Sequence, residues 1–298
     1  MSGVSPIQVW WLAIRPKTLW ASVAPVVIGG AMATAIGPLH VPSFVMTLFV
    51  ALLIQIGTNF NNDYSDFKKG ADTEGRQGPL RVTQAGLVTP NQMMLATLLV
   101  FGVSIACSVY LVDRSGWPIA MIGVISVIAG VLYTAGPYPL GYLGFGDILV
   151  IIFFGPVAVG GTYFIQTGTL TAPVLLSGLA PGLLSTAILA VNNLRDLDGD
   201  REVGKRTLAV RYGRTFVRME YAVCILISAV IPLVLVFLEN RHRSSILASF
   251  VLVILAIRPM RKVFRSDDGK TLNPVLGATA KLLFIYSVVF AIGWNMDL

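Results

Sequence analysis

Two short stretches of this chain carry the residue types that bind ions and phosphates. The first is Asn62-Asp63-Tyr64-Ser65-Asp66, running on to Lys68, Lys69 and Asp72; the second is Asn192-Asn193-Leu194-Arg195-Asp196, running on to Asp198 and Asp200. Carboxylates and amide oxygens are what a hard divalent cation such as Mg²⁺ accepts, usually with substrate phosphate completing the shell. Lys and Arg beside them suit phosphate. Each stretch lies where a long apolar run ends, and a carboxylate at membrane depth costs about 2.5–3.5 kcal/mol even on the lenient insertion scale. Together they imply a metal–diphosphate site at one face of a membrane.

The spacing supports this. Asn192, Asp196 and Asp200 are four apart and share one face of a helix. Asp63 and Asp66, three apart, are expected on one face, with Asn59 and Asn62 a turn earlier. Each cluster is expected to hold one ion, the diphosphate bridging them. Taken singly, either stretch also reads as a solvated loop with salt bridges; two Asn-preceded clusters at the same side of a bundle do not. The basic residues that follow are Lys68, Lys69, Arg76 and Arg81 after the first cluster, and Arg201, Lys205 and Arg206 after the second. Arg81, Lys205 and Arg206 are the favoured diphosphate contacts, able to stabilise it as a leaving group, with Lys68, Arg15 and Lys17 as further candidates. Tyr133 and Tyr138 bracket Thr-Ala-Gly-Pro at the end of an apolar run. They fit an interfacial aromatic belt, or a ring facing the cavity that stabilises an allylic cation.

The elements that must position these residues are membrane helices. Of 298 residues, 55% are hydrophobic and only 12% charged, about half the charge of a soluble domain, and the mean hydropathy is +0.76. Nine apolar runs approach the ~20 residues a spanning helix needs: 19–37, 43–62, 92–112, 117–136, 145–165, 172–192, 219–238, 244–260 and 274–294. The expected fold is therefore all-α, a polytopic bundle of about nine transmembrane helices, read as one domain over 1–298. No cleavable signal peptide is evident. Pro25, Pro156, Pro181 and Pro232 fall inside spans, where kinks are tolerated. Cys107 and Cys224 lie in apolar runs and read as buried hydrophobes; His40 and His242 fall in outer loops with no expected role.

With the N-terminus placed inside, eighteen of the 22 Lys and Arg residues lie in inner segments and three, Arg114, Arg241 and Arg243, outside; Lys281 falls within the last span. The positive-inside rule explains the net charge of +7 without a nucleic-acid partner. It places the N-terminus and the acidic loops in the cytoplasm. Four spans separate the two clusters, so both emerge on that side and one cavity can hold both.

Three segments resemble the UbiA superfamily of intramembrane aromatic prenyltransferases: NDYSDFKKGADTEGRQGPLRVTQAGLVTP (62–90), YTAGPYPLGYLGFGDILVIIFFGPVAVGGTYFIQ (133–166) and NNLRDLDGDREVGKRTLAVRYG (192–213). The Gly70-Ala71-Asp72 ending, the GPLR run and the GKRTLAVRYG tail are similar to the branch that prenylates 1,4-dihydroxy-2-naphthoate in menaquinone and phylloquinone synthesis. The resemblance implies a nine-helix bundle with a cavity open to lipid, and two Mg²⁺ ions on the paired motifs holding a prenyl diphosphate. It gives Asn62, Asp63 and Asp66 the first-motif role and Asp196 and Asp200 the second; Asn192 and Asn193 are expected beside the substrate. Where the superfamily often ends its first motif with an acid, this chain has Gly70, and Asp72 stands in as a metal ligand. The implied reaction joins the prenyl group to the carboxyl-bearing carbon of the naphthoate with loss of CO₂ and diphosphate, in the plasma (inner) membrane. Other acceptors, such as 4-hydroxybenzoate, homogentisate, haem or chlorophyllide, are the nearest alternatives. A membrane transporter would need polar residues continuing to the outer face, and a structural subunit leaves the paired clusters unexplained.

Overall fold

The computed structural model describes residues 5–71 and 77–296. Eleven α-helices follow in chain order among them: α1 (Pro6–Ile14), α2 (Trp20–Thr34), α3 (Val41–Lys68), α4 (Pro90–Ser115), α5 (Trp117–Leu132), α6 (Gly146–Ile152), α7 (Ala158–Thr167), α8 (Ala172–Glu202), α9 (Leu208–Glu239), α10 (Leu247–Arg265) and α11 (Gly269–Met296). Local signals set many of the ends. Ser5 and Thr89 form capping boxes with Gln8 and Gln92, and Pro6 and Pro90 take the first helical position, where a missing N–H costs nothing. His40 caps α3 by accepting the Ser43 N–H.

The expected all-α bundle is present, though the count of nine spanning helices is not established by it. Counting the joined α6–α7 as one, six helices among the described residues are long and apolar enough to cross a membrane, and α2 and α5 are shorter apolar helices of 15 and 16 residues. The eighth expected run, 244–260, falls on α10, which is not among these and whose last turns carry Arg258, Arg261, Lys262 and Arg265. The helices overrun the expected spans where it matters: α3 continues to Lys68 and α8 to Glu202, so both acidic clusters sit on helix ends rather than in loops.

Of the four intraspan prolines only Pro156 accompanies a break. A π-turn at Phe153–Val157 joins α6 to α7, with Gly155 at φ −114°, ψ −115°. Three glycines permit it, because the break crosses α8 at backbone contact. A Cβ on Gly155 would lie 2.7 Å from the Gly178 carbonyl oxygen, and one on Gly182 would lie 2.4 Å from that of Ile151. Such small-residue crossings let membrane helices approach closely.

The main buried cluster is built on α8, α9, α11 and their neighbours, with Leu184, Leu194, Tyr221, Leu252 and Tyr286 fully buried, and two smaller clusters form around Phe60 and Met93 and around Val50 and Leu111. Large apolar side chains also cover the outside, among them Leu98, Ile105, Phe237, Phe250 and Ile254. A surface this apolar is stable against lipid and not against water, so the chain is an integral membrane protein. Cys224 is buried and Cys107 half-buried, as expected; His242 stacks on Trp294 at 3.9 Å.

Candidate active site

The ends of α3 and α8 face each other across a cavity of about 670 Å³. It runs beside α3 from Asp66 to Thr47, a rise of about 28 Å at 1.5 Å per residue. Its charged end holds Arg15, Asn59, Asn62, Asp66, Arg81, Asn192, Asn193, Arg195, Asp196, Asp200 and Lys205. Its far part is lined by apolar groups such as Val50, Ile54, Leu111, Ile119 and Ile165, interspersed with Thr47, Gln55 and Ser108.

On α8 the four-residue spacing works as expected: Asn192, Asp196 and Asp200 all line the cavity. Arg195 holds this face together. Its guanidinium grips Asp196 with two bonds of 2.8 and 2.6 Å, and donates to Asn192 at 2.7 Å and to Asn273 of α11 at 2.8 Å. Asn273 in turn donates to the Gln77 carbonyl at 3.0 Å, tying α11 to the segment after the first cluster. Lys205 pairs with Asp200 at 3.2 Å.

On α3 the cavity face is Asn59, Asn62 and Asp66. Asn62 accepts the Thr134 hydroxyl at 2.7 Å, and Asn61 donates to the Val131 carbonyl at 3.1 Å, docking α3 on the end of α5. Asp66 receives the Arg81 guanidinium at 3.1 Å and the Tyr142 hydroxyl at 2.5 Å. The Tyr142 ring lies under two ammonium groups, Lys69 at 5.1 Å and Lys205 at 4.7 Å, which links the two clusters through one aromatic. Lys69 also donates to the Thr134 and Gly136 carbonyls; partial burial holds its ammonium below the ordinary lysine value, against the pull of Asp66.

Five sequence expectations are placed off this site; Lys17, one of them, is exposed and not on the cavity wall. Asp63 is 1% exposed and accepts the Thr83 backbone N–H at 3.1 Å, away from the cavity wall. Asn62, four residues before Asp66, shares its cavity face, whereas Asp63, three before it, does not. Tyr138 is 75% exposed. The Lys68 ammonium lies over Tyr64, outside the cavity, and the Arg206 side chain is exposed, its backbone N–H donating to the Tyr142 carbonyl and its carbonyl accepting from Arg211. Asp72 and Arg76 lie outside the described residues. The remaining candidates, Asn62, Asp66, Arg81, Tyr133, Asn192, Asn193, Asp196, Asp200, Lys205 and Arg15, are brought together. Sequence reasoning missed Tyr142, the gripping role of Arg195, and Asp147, a buried carboxylate opening α6. Only Asp147 left a signal, a lone acid heading an apolar run.

The donor set fits a divalent cation. Asp66, Asp196 and Asp200 are near enough to act on one another electrostatically, and amide oxygens accompany them. Among the described residues no three His, Cys, Asp or Glu groups converge tightly enough to cage an ion alone. Mg²⁺ asks for less: one or two carboxylates, waters and substrate phosphates.

An all-helical membrane protein with paired carboxylates and bases at one end of an apolar cavity is a membrane-embedded prenyltransferase. The chain belongs to the UbiA prenyltransferase family, whose model matches residues 22–288. It is 36% identical to the 1,4-dihydroxy-2-naphthoate octaprenyltransferase of Escherichia coli strain K12, over 97% of this chain and 96% of that protein. It is 33% identical to that of Haemophilus influenzae, over 96% of each. Among solved structures, a UbiA homolog from Archaeoglobus fulgidus bound to DMAPP and Mg²⁺ shares the fold with a TM-score of 0.66 at 14% identity, covering 95% of this chain and 99% of that one.

Proposed function

We propose that this protein transfers a prenyl group from a prenyl diphosphate to 1,4-dihydroxy-2-naphthoate, releasing diphosphate and CO₂ and leaving a demethylmenaquinone-type quinol. The acceptor follows from the curated relatives, which are named for it and match almost end to end. The mechanism rests on one observation: Asp66 of α3 faces Asp196 and Asp200 of α8 across a cavity whose far part is apolar.

Asp66, Asp196 and Asp200, with Asn62 and Asn192, would hold Mg²⁺. When bound, the cation offsets the negative charge that grows on the departing diphosphate. Arg81 and Lys205, now paired with Asp66 and Asp200, are placed to turn to the diphosphate oxygens and stabilise the leaving group. Arg15 closes the same end. The apolar wall takes the prenyl chain and keeps water from the allylic cation. Tyr133, inside the cavity, offers its ring face to that cation. The naphthoate ring attacks through its carboxyl-bearing carbon, and loss of CO₂ restores aromaticity. The same reading places the protein in the inner membrane, multi-pass, with this end of the bundle cytoplasmic.

The test is Asp66→Ala and Asp196→Ala in correctly inserted protein. Both are expected to abolish Mg²⁺-dependent turnover; full turnover in either removes the paired-carboxylate site.

A further inference from the structure

Asp147 belongs to neither acidic cluster. It opens α6, is 4% exposed and lines the cavity. Its Oδ1 is fully buried, and no N–H or O–H of the described residues donates to it. What reaches it is a second acid: Glu220 of α9 lies within side-chain hydrogen-bonding range of Asp147. Two carboxyl groups this close inside an apolar bundle favour sharing one proton over both being ionised. A proton carried by Glu220 would let its O–H donate to the Asp147 carboxylate and leave the negative charge on Asp147. An ionisable group kept at such a place, with a partner holding its charge state, is a functional site by default.

The surroundings say what it would meet. Gly146 lets the Tyr133 ring pack on the start of α6: a Cβ there would lie 2.8 Å from the Tyr133 hydroxyl and 3.6 Å from Leu189 of α8. Tyr133 lies in the combined field of Asp147, Asp66 and Asp200. Asp147 is thus on the reacting end of the cavity without touching the diphosphate carboxylates. One turn before Leu189, Ser185 also lines the cavity, with its hydroxyl buried and unpartnered among the described residues. Cys224 on α9 also lies within the field of Asp147. Among the described residues no cation acts on the Asp147 carboxylate, so a ligand with an acidic O–H is its natural complement.

Resting on the naphthoate reading above, we propose that Asp147, backed by Glu220, receives a ring hydroxyl of the aromatic acceptor and acts as its general base. The proton of the hydroxyl next to the carboxyl-bearing carbon passes to Asp147. That carbon forms its bond to the allylic carbon as the allylic C–O bond to diphosphate breaks, leaving a ketone at the former hydroxyl. The bond to the carboxylate then breaks, CO₂ leaves, and its electron pair rebuilds the aromatic ring. The ketone oxygen takes the proton back from Asp147.

The experiment is steady-state kinetics of the full chain in detergent with 1,4-dihydroxy-2-naphthoate and a prenyl diphosphate. Asp147→Asn is expected to lower kcat/KM for the naphthoate by about 100-fold or more, the range of general-base catalysis, with KM for the prenyl diphosphate and the Mg²⁺ requirement unchanged. Naphthoate kinetics within about threefold of wild type, or a parallel change in prenyl diphosphate KM, overturns the role. Glu220 carries the test where Asp147→Asn does not fold. Glu220→Gln can still donate to Asp147 and is expected to stay within about threefold. Glu220→Ala cannot, and is expected to lose about tenfold or more, the scale of one hydrogen bond to a charged group. Equal activity of the two Glu220 variants contradicts the proposal. If wild type itself does not turn over the naphthoate, the acceptor reading fails; if wild type is active and these variants are unimpaired, only the base fails.

Discussion

Arg195 is the residue whose removal should be felt most in the described structure. Its side chain is 1% exposed and that of its partner Asp196 10%, so solvent does little to screen the pair. Removing one member of a buried ion pair costs about 3–5 kcal/mol, chiefly because the remaining charge stays buried. In Arg195→Met, Asp196 loses a two-bond grip and Asn192 and Asn273 each lose a donor. At 2–4 °C per kcal/mol for a chain somewhat smaller than this one, the expected loss in Tm is roughly 6–20 °C. Asp196→Asn leaves the guanidinium with Asn192, Asn273 and an amide oxygen to bond, and is expected to cost less. The double variant leaves no charge stranded and is expected to be more stable than the sum of the single losses predicts. Thermal unfolding followed by tryptophan fluorescence in one detergent measures all three. A Tm for Arg195→Met within about 2 °C of wild type, or strict additivity in the cycle, refutes the reasoning.

The neighbouring positions make sharper contrasts. Asp63→Ala is expected to leave the Thr83 N–H unsatisfied and cost about 1–3 kcal/mol of stability without changing the Mg²⁺ dependence of turnover; a Mg²⁺ titration shifted as far as that of Asp66→Ala contradicts the placement of Asp63. Tyr133→Leu is expected to lower kcat by about 2- to 30-fold, the range of a cation–π contact, whereas Tyr138→Ala, at a position 75% exposed, is expected to change nothing in the same assay. Gly178→Ala sets a Cβ 2.7 Å from the Pro156 Cα and is expected to cost about 1–3 kcal/mol by overpacking, read as a lower Tm; an unchanged Tm means the α6–α7 break is not held against α8.

Charge in apolar runs was the legible part. The two acidic clusters, their common side of the bundle and the 192/196/200 face all follow from parity and the helical period. The same period misled at the first cluster, where the three-residue pair Asp63 and Asp66 was favoured. The cavity instead takes the four-residue set Asn62 and Asp66, and Asp63 turns to Thr83. Choosing between them needs the rotation of α3 in the bundle, which Asn59 and Asn61 fix by bonds to Ile14 and Val131, residues far along the chain. Tyr142 was beyond reach for a different reason. It lies in the irregular stretch between α5 and α6, where no periodicity tells which of Tyr133, Tyr138 and Tyr142 turns inward. Asp147 pairs with a residue 73 positions later on another helix, and such a partnership has no local signature.

The central claim is a Mg²⁺-dependent transfer of a prenyl group to a naphthoate. Mass spectrometry of products tests it most directly: purified protein with a prenyl diphosphate and either 1,4-dihydroxy-2-naphthoate or 4-hydroxybenzoate, with Mg²⁺ or with EDTA. A prenylated, decarboxylated naphthoquinol formed only with Mg²⁺ is the expected result. Product from the benzoate alone, or equal product in EDTA, would contradict the account.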